Sequence, residues 1–119
     1  MKKKNKHALS RKKKEFRFKN VEILEGDGTI TIRHPAYIIV QEGNVYIYVT
    51  LTHSSNVDDK LVIELRQNPN PKDSEKSYYI AEIKKDIKDQ FGRKLKEWKI
   101  DKLDDVDIRH LYEKDGSAK

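Results

Sequence analysis

The chain is expected to fold as an α+β domain. An antiparallel sheet of about four to six strands should be followed by one or two C-terminal helices and preceded by a disordered basic arm. Three observations carry this expectation. Short apolar/polar alternations broken by glycine and proline fill the front of the sequence, an apolar stripe at helical spacing follows, and positive charge is concentrated at the start.

Residues 1–20 hold ten Lys or Arg and one acid, a net +9, while residues 21–119 hold sixteen against nineteen, a net −3. A mildly acidic body thus carries a polybasic arm. Lys2, Lys3, Lys4, Lys6, Arg11, Lys12, Lys13 and Lys14 repel one another with almost nothing apolar to bury. Residues 1–15 are therefore expected to be disordered, and residues 16–115 to form one domain. Such an arm attracts RNA or DNA phosphates by counterion release. Attraction to anionic lipid and a simple solubility tail are the competing readings.

A membrane partner is not expected. The arm has neither a hydrophobic face nor a lipidation signal, and no apolar h-region follows the first lysines. No segment approaches the roughly 20 apolar residues of a membrane span. A cytoplasmic location is expected, and with no cysteine in the chain, disulfides and thiol chemistry are excluded.

The strands come next. Residues 21–25 and 29–33 flank Gly26-Asp27-Gly28, a sequence with strong turn chemistry, and Phe16 and Phe18 alternate as if a strand begins before Val21. Pro35 suits a strand start or edge. Residues 36–52 then read as a hairpin around Gly43-Asn44, a two-residue loop dipeptide. That loop pairs Glu42 with Val45, Val40 with Ile47, Ile38 with Val49 and Tyr37 with Thr50; at the open end His34 faces His53. Moving the loop by one residue, to Glu42-Gly43, would carry His53 past its partner. Residues 61–67 and 77–83 are further strands, with Asn68-Pro69-Asn70-Pro71 as a terminator between them. Ile83, Ile87, Phe91, Leu95 and Trp98 form the helical stripe, weakened by Gly92. Asp101 is placed to cap a final helix through about Glu113, with Leu103, Val106 and His110 on one face.

Directly opposed residues have Cβ atoms roughly 4.5–5.5 Å apart, so His34 and His53 are the candidate catalytic pair. Two imidazoles at that separation can divide the base and acid roles of metal-independent RNA cleavage. Arg33 or Arg66 would neutralise the phosphorane charge, and Thr52 and Tyr78 could donate hydrogen bonds to phosphate oxygens. The competing reading is that both histidines are ordinary strand-end residues. No metal or other cofactor is expected: zinc wants three or four ligands, and Asp58 or Asp59 would have to complete the two histidines from a loop. Ser54 and Ser55 beside His53 point to opposite faces and make a poor triad. Tyr46 and Tyr48, with Tyr37 and Tyr78 or Tyr79, form either a stacking platform for single-stranded bases or part of the core.

A resemblance adds to this reading. The ordered set His34-Pro-Ala-Tyr-Ile, Leu51-Thr-His-Ser54, Asn68-Pro-Asn-Pro71, Ser77-Tyr78, Phe91-Gly92 and Trp98-Lys99 resembles small proteins carried by phages and mobile elements of Firmicutes. More remotely, it is similar to the barnase/colicin/RelE-like nuclease toxins. That resemblance spans residues 33–99 and implies acid–base work by His, Arg, Lys or Tyr on an antiparallel sheet, a role His34 and His53 match by position. Three functions follow as expectations: a small ribonuclease or nuclease-like toxin, a non-catalytic RNA- or DNA-binding accessory protein, or a protein–protein adaptor with a basic tail. An antitoxin is among the partners the first would imply.

Overall fold

The computed structural model describes residues 10–117 of the chain. It is an α+β fold with a seven-stranded antiparallel sheet and one C-terminal helix. The strands are β1 (Ser10–Glu25), β2 (Gly28–Glu42), β3 (Val45–Thr52), β4 (Val62–Glu64), β5 (Tyr78–Ile80), β6 (Lys84–Ile87) and β7 (Phe91–Lys94). A 3₁₀ turn, Lys88–Gln90, joins β6 to β7, and the helix α1 spans Lys102–Ser117. Strand order is β4-β5-β3-β2-β1-β7, with β6 sharing the free edge of β3. Among the described residues no helix is long and apolar enough to cross a membrane.

Two tight turns set the long hairpins. Gly26 (φ +60°) and Gly43 (φ +62°) each open a two-residue loop at a backbone angle that side chains disfavour, the position a type II′ turn reserves for glycine. The Gly43-Asn44 loop pairs Glu42 with Val45 and Val40 with Ile47 as expected. Beyond them Ile39 is bulged out of register, so Ile38 faces Tyr48, Tyr37 faces Val49 and Ala36 faces Thr50. The expected pairs Ile38–Val49, Tyr37–Thr50 and His34–His53 are corrected by that one extra residue. Pairing between β2 and β3 ends at Ala36, just beyond Pro35, which has no N–H to contribute.

The bulge also sorts the core. On one face Phe16, Tyr37, Ile39, Val40, Ile47, Val49 and Leu51 pack with Leu65, Tyr79 and Ile108 of α1. On the other, Ala36, Ile38, Tyr46 and Tyr48 pack with Phe91. Ile39 and Val40 fall on the same face although they are neighbours in sequence, as a bulge allows.

Two expected elements are different. The stripe Ile83–Trp98 is not a helix: it is β6, the 3₁₀ turn, β7 and a following turn. Its apolar residues serve opposite faces, Phe91 in one core and Ile83, Leu95 and Trp98 against the other, while Ile87 is exposed. The chain crosses the sheet here, from the free edge of β3 to the free edge of β1, and pairs with part of each. Nor are Arg11–Lys14 part of a disordered arm, since β1 begins at Ser10 and pairs Arg11 with Gln41 and Lys12 with Val40. A second bulge between Lys12 and Glu15 leaves carbonyls to satisfy, and Arg109 of α1 donates to both Lys13 O and Ile39 O. Lys2, Lys3, Lys4 and Lys6 lie outside the described residues.

The cap of α1 is as expected: Asp101 Oδ1 accepts from the backbone N–H of Leu103 at 2.8 Å and of Asp104 at 3.3 Å. The buried face is different. Leu103, Val106 and His110 are exposed, while Asp104 and Asp105 turn inward beside Ile108. Both acids have partners there. Asp104 accepts from the Arg66 N–H and guanidinium, and Asp105 accepts from Tyr37 Oη at 2.6 Å and from Arg109.

Candidate active site

A cavity of about 530 Å³ opens on the helix-bearing face, at the end of the sheet away from the Gly43 turn. Arg33, His34 and Pro35 of β2, Leu51 and Thr52 of β3, and His53 just after it form one wall. Phe18 and Trp98 supply aromatic surface, and Asn68, Asn70 and Asp73 face them from the loop before β5. Five of the six segments quoted above for the resemblance meet here; Phe91-Gly92 lies across the sheet instead.

Strand alternation refines where the basic residues point. Phe18 pairs with Pro35 and Lys19 with His34, so Arg33 and Pro35 share the face of Phe18 while His34 alternates to the face of Lys19. His34 therefore stands at the cavity rim. Arg33 belongs to the same side as Leu51 and His53. This is the Ile39 bulge at work: it exchanges His34 for its neighbour opposite the end of β3.

His53 has a partner that sequence reasoning did not single out. Its Nε2 lies 2.8 Å from Asp73 Oδ2, and the other oxygen of Asp73 accepts from the Glu75 N–H at 3.0 Å. These contacts, the Glu75 N–H first and His53 second, hold the Asp73 carboxyl below its ordinary value. The loop is built from successive side-chain turns. Asn68 Oδ1 accepts from Asn70 N, Asn70 Oδ1 from Lys72 N, and Asn68 Nδ2 donates to Glu75 O at 2.7 Å. Lys99 N donates to Pro69 O, tying the Trp98 segment to the same loop. Asn68-Pro69-Asn70-Pro71 is thus a scaffold for Asp73 as well as a strand terminator. The legible signal was the spacing of Asn68, Asn70, Asp73 and Glu75, which suits serial Asx turns.

Trp98 is half-buried, its ring centroid 5.6 Å from Phe16 and 6.0 Å from Phe18. Its spacing predicts one end of a helical stripe; in the fold it is, with Phe18, the aromatic lining of the cavity.

Other candidates go elsewhere. Arg66 does not line this cavity: its guanidinium is 2.8 Å from Asp104 and 2.9 Å from Asp107, and those two acids hold it firmly charged. Tyr46 and Tyr48 are buried rather than presented for stacking, each with its ring 5.1 Å from Phe91, because the β6–β7 crossing covers that face. Tyr48 Oη donates to Asp86 at 2.7 Å, and burial first, then that bond, pushes its phenol well up. Tyr37 and Tyr79 are likewise core, while Tyr78 pairs with Thr52. Ser54 Oγ is spent on a local turn with Asn56.

As a ligand set, His53, Asp73 and Glu75 each offer an atom, all within 4.8 Å of one another. Three such donors reach the minimum of a catalytic metal site, and Asp58 and Asp59 are not among them. Comparison with protein-family models, with curated proteins and with solved structures finds no match.

Proposed function

We propose that the chain is a small ribonuclease whose chemistry takes place in the His53 cavity, in the manner of the nuclease-like proteins it resembles. One observation carries the reading. Arg33, the His53–Asp73 pair and Trp98 line one cavity of about 530 Å³, within the roughly 300–1,000 Å³ typical of small-ligand sites. A nucleotide offers what those groups bind: a phosphate for the guanidinium and a base for the indole.

In this reading Asp73 orients the His53 imidazole, and His53 takes the proton of a ribose 2′-hydroxyl. The 2′-oxygen–phosphorus bond forms and the 5′-oxygen–phosphorus bond breaks, leaving a cyclic phosphate. His34 at the rim gives a proton to the departing 5′-oxygen, and Arg33 balances the charge that builds on phosphorus. Arg11, Lys12 and Lys14, exposed along β1, together with Lys2, Lys3, Lys4 and Lys6, draw the polyanion toward an otherwise acidic body.

The test is cleavage of a labelled single-stranded RNA in EDTA by purified protein and by His53→Ala. The variant should lose at least about hundredfold in rate while binding RNA as tightly. Equal cleavage by the variant would remove His53 from the chemistry, and none by the wild type under any divalent supplement would leave a non-catalytic RNA-binding accessory protein. Cleavage that fails in EDTA and returns with zinc or manganese would instead favour a cation held by His53, Asp73 and Glu75.

A further inference from the structure

The β1–β2 hairpin outruns the rest of the sheet. The last β1–β7 pair is Lys19 with Phe91, and the last β2–β3 pair is Ala36 with Thr50. Beyond them Asn20–Glu25 and Gly28–Arg33 pair only with each other. An isolated two-stranded ribbon is marginally stable in water, and this one leaves apolar surface uncovered.

Four of the five apolar residues share a face, while Leu24, 83% exposed, stands on the other. Val21 pairs with Ile32 and Ile23 with Ile30, and all four stand on the side of Lys19 and His34. Ile23 is 37% and Ile30 45% exposed, large values for isoleucine on a strand. From root to tip that face reads Lys19, Val21, Ile23, Glu25 on one strand and His34, Ile32, Ile30, Gly28 on the other. It runs basic, apolar, apolar, acidic.

We infer that this ribbon is a homodimer interface, in which two copies pack their ribbons face to face about a two-fold axis. The order of residues selects the arrangement. With the ribbons antiparallel, each Val/Ile layer meets a Val/Ile layer, and the Glu25 tip of each copy reaches the basic root of the other. With the ribbons parallel, Glu25 would meet Glu25. A self-complementary stripe of this kind is what an isologous contact requires. Lys19 is already 3.8 Å from Asp86, which leaves the exposed His34 as the freer donor at the root. Nucleic acid fits the same face poorly, because Glu25 on that face and Asp27 in the turn at its tip repel phosphate. Both this inference and the ribonuclease reading use His34, so the test reads association alone and not cleavage.

Sedimentation of the full chain across a concentration series tests it. Wild type should be a dimer at about 100 μM, as a dissociation constant in the micromolar range requires. Ile23→Thr with Ile30→Thr keeps β-branched residues in the strands and should give a folded monomer, judged by an unchanged far-ultraviolet spectrum. Glu25→Lys should weaken association at least about tenfold, and Glu25→Lys combined with His34→Glu should restore it. A wild type that stays monomeric, a threonine variant that still dimerises, or ribbon amides protected from exchange only when RNA is added would each overturn the proposal.

Discussion

Asp73 and Asp104 show how differently one residue type is used here. Asp73 is held below its ordinary value by the Glu75 N–H and His53. Its ionised form is therefore favoured in the folded state, a contribution present above the ordinary value of 3.8 and lost as pH falls through the lower folded one. Asp104 is 1% exposed, and burial outweighs its bonds to Arg66, so its carboxyl is raised. The sign reverses: its contribution is greatest below 3.8 and declines as pH rises through the folded value. Urea titrations at a series of pH values should show this. Asp73→Asn should lose stability relative to wild type as pH rises from the lower folded value to that ordinary value, and Asp104→Asn should gain relative to wild type as pH rises from the ordinary value through the raised folded one. Profiles that move together would contradict the assignment. Asp104→Ala is harsher, since it strands the Arg66 backbone N–H and leaves the guanidinium to Asp107 alone. It should cost about 2–3 kcal/mol. Tyr37→Phe, which removes a 2.6 Å bond to Asp105 from the core, should cost about 1–2 kcal/mol in the same assay.

At the scale of elements, the two bulges decide the site, and Arg109 holds them. Its guanidinium takes up the carbonyls of Lys13 and Ile39, one from each bulged segment, and sits on Asp105. Arg109→Met keeps the apolar stem but takes the guanidinium from two carbonyls and leaves Asp105 with only Tyr37 and Lys14, and should cost about 3 kcal/mol by urea denaturation. A cost under about 0.5 kcal/mol would mean the bulges hold without it. These bulges also mark where sequence reading stopped. The Gly43-Asn44 turn and the first three pairs were legible, because a glycine turn and alternation fix them locally. The extra residue at Ile39 was not, because it is imposed from outside β2 by a guanidinium seventy residues away. So the cluster of Arg33, His34 and His53 was found, but with His34 in the position that Arg33 takes. Asp73 was missed because its role comes from a loop whose hydrogen bonds run side chain to backbone. The stripe Ile83–Trp98 was misread because a strand–turn–strand crossing that feeds two cores can imitate helical spacing.

Over the whole molecule, charge is arranged in opposition to itself. The first twenty residues carry +9 and the remainder −3, yet the basic stretch is not a separate tail: from Ser10 onward it is a strand of the sheet, with Arg11, Lys12 and Lys14 exposed along it. Strand geometry holds those cations at a fixed spacing along β1 at the Gly43 end of the sheet, while Phe18 of the same strand lines the cavity at the other end. A row of fixed cations along a strand makes its own prediction for a polyanion. If RNA lies along β1, then Arg11→Gln, Lys12→Gln and Lys14→Gln should each weaken binding by a similar factor whatever the sequence. Each should also reduce the slope of log K against log salt by about 0.7, the value for one lost phosphate contact on a single strand. Filter binding between low and physiological salt reads both quantities. Should the three variants keep the wild-type slope while deletion of residues 1–9 flattens it, the fixed row plays no part in capturing RNA, and the strand's basic residues serve the fold alone.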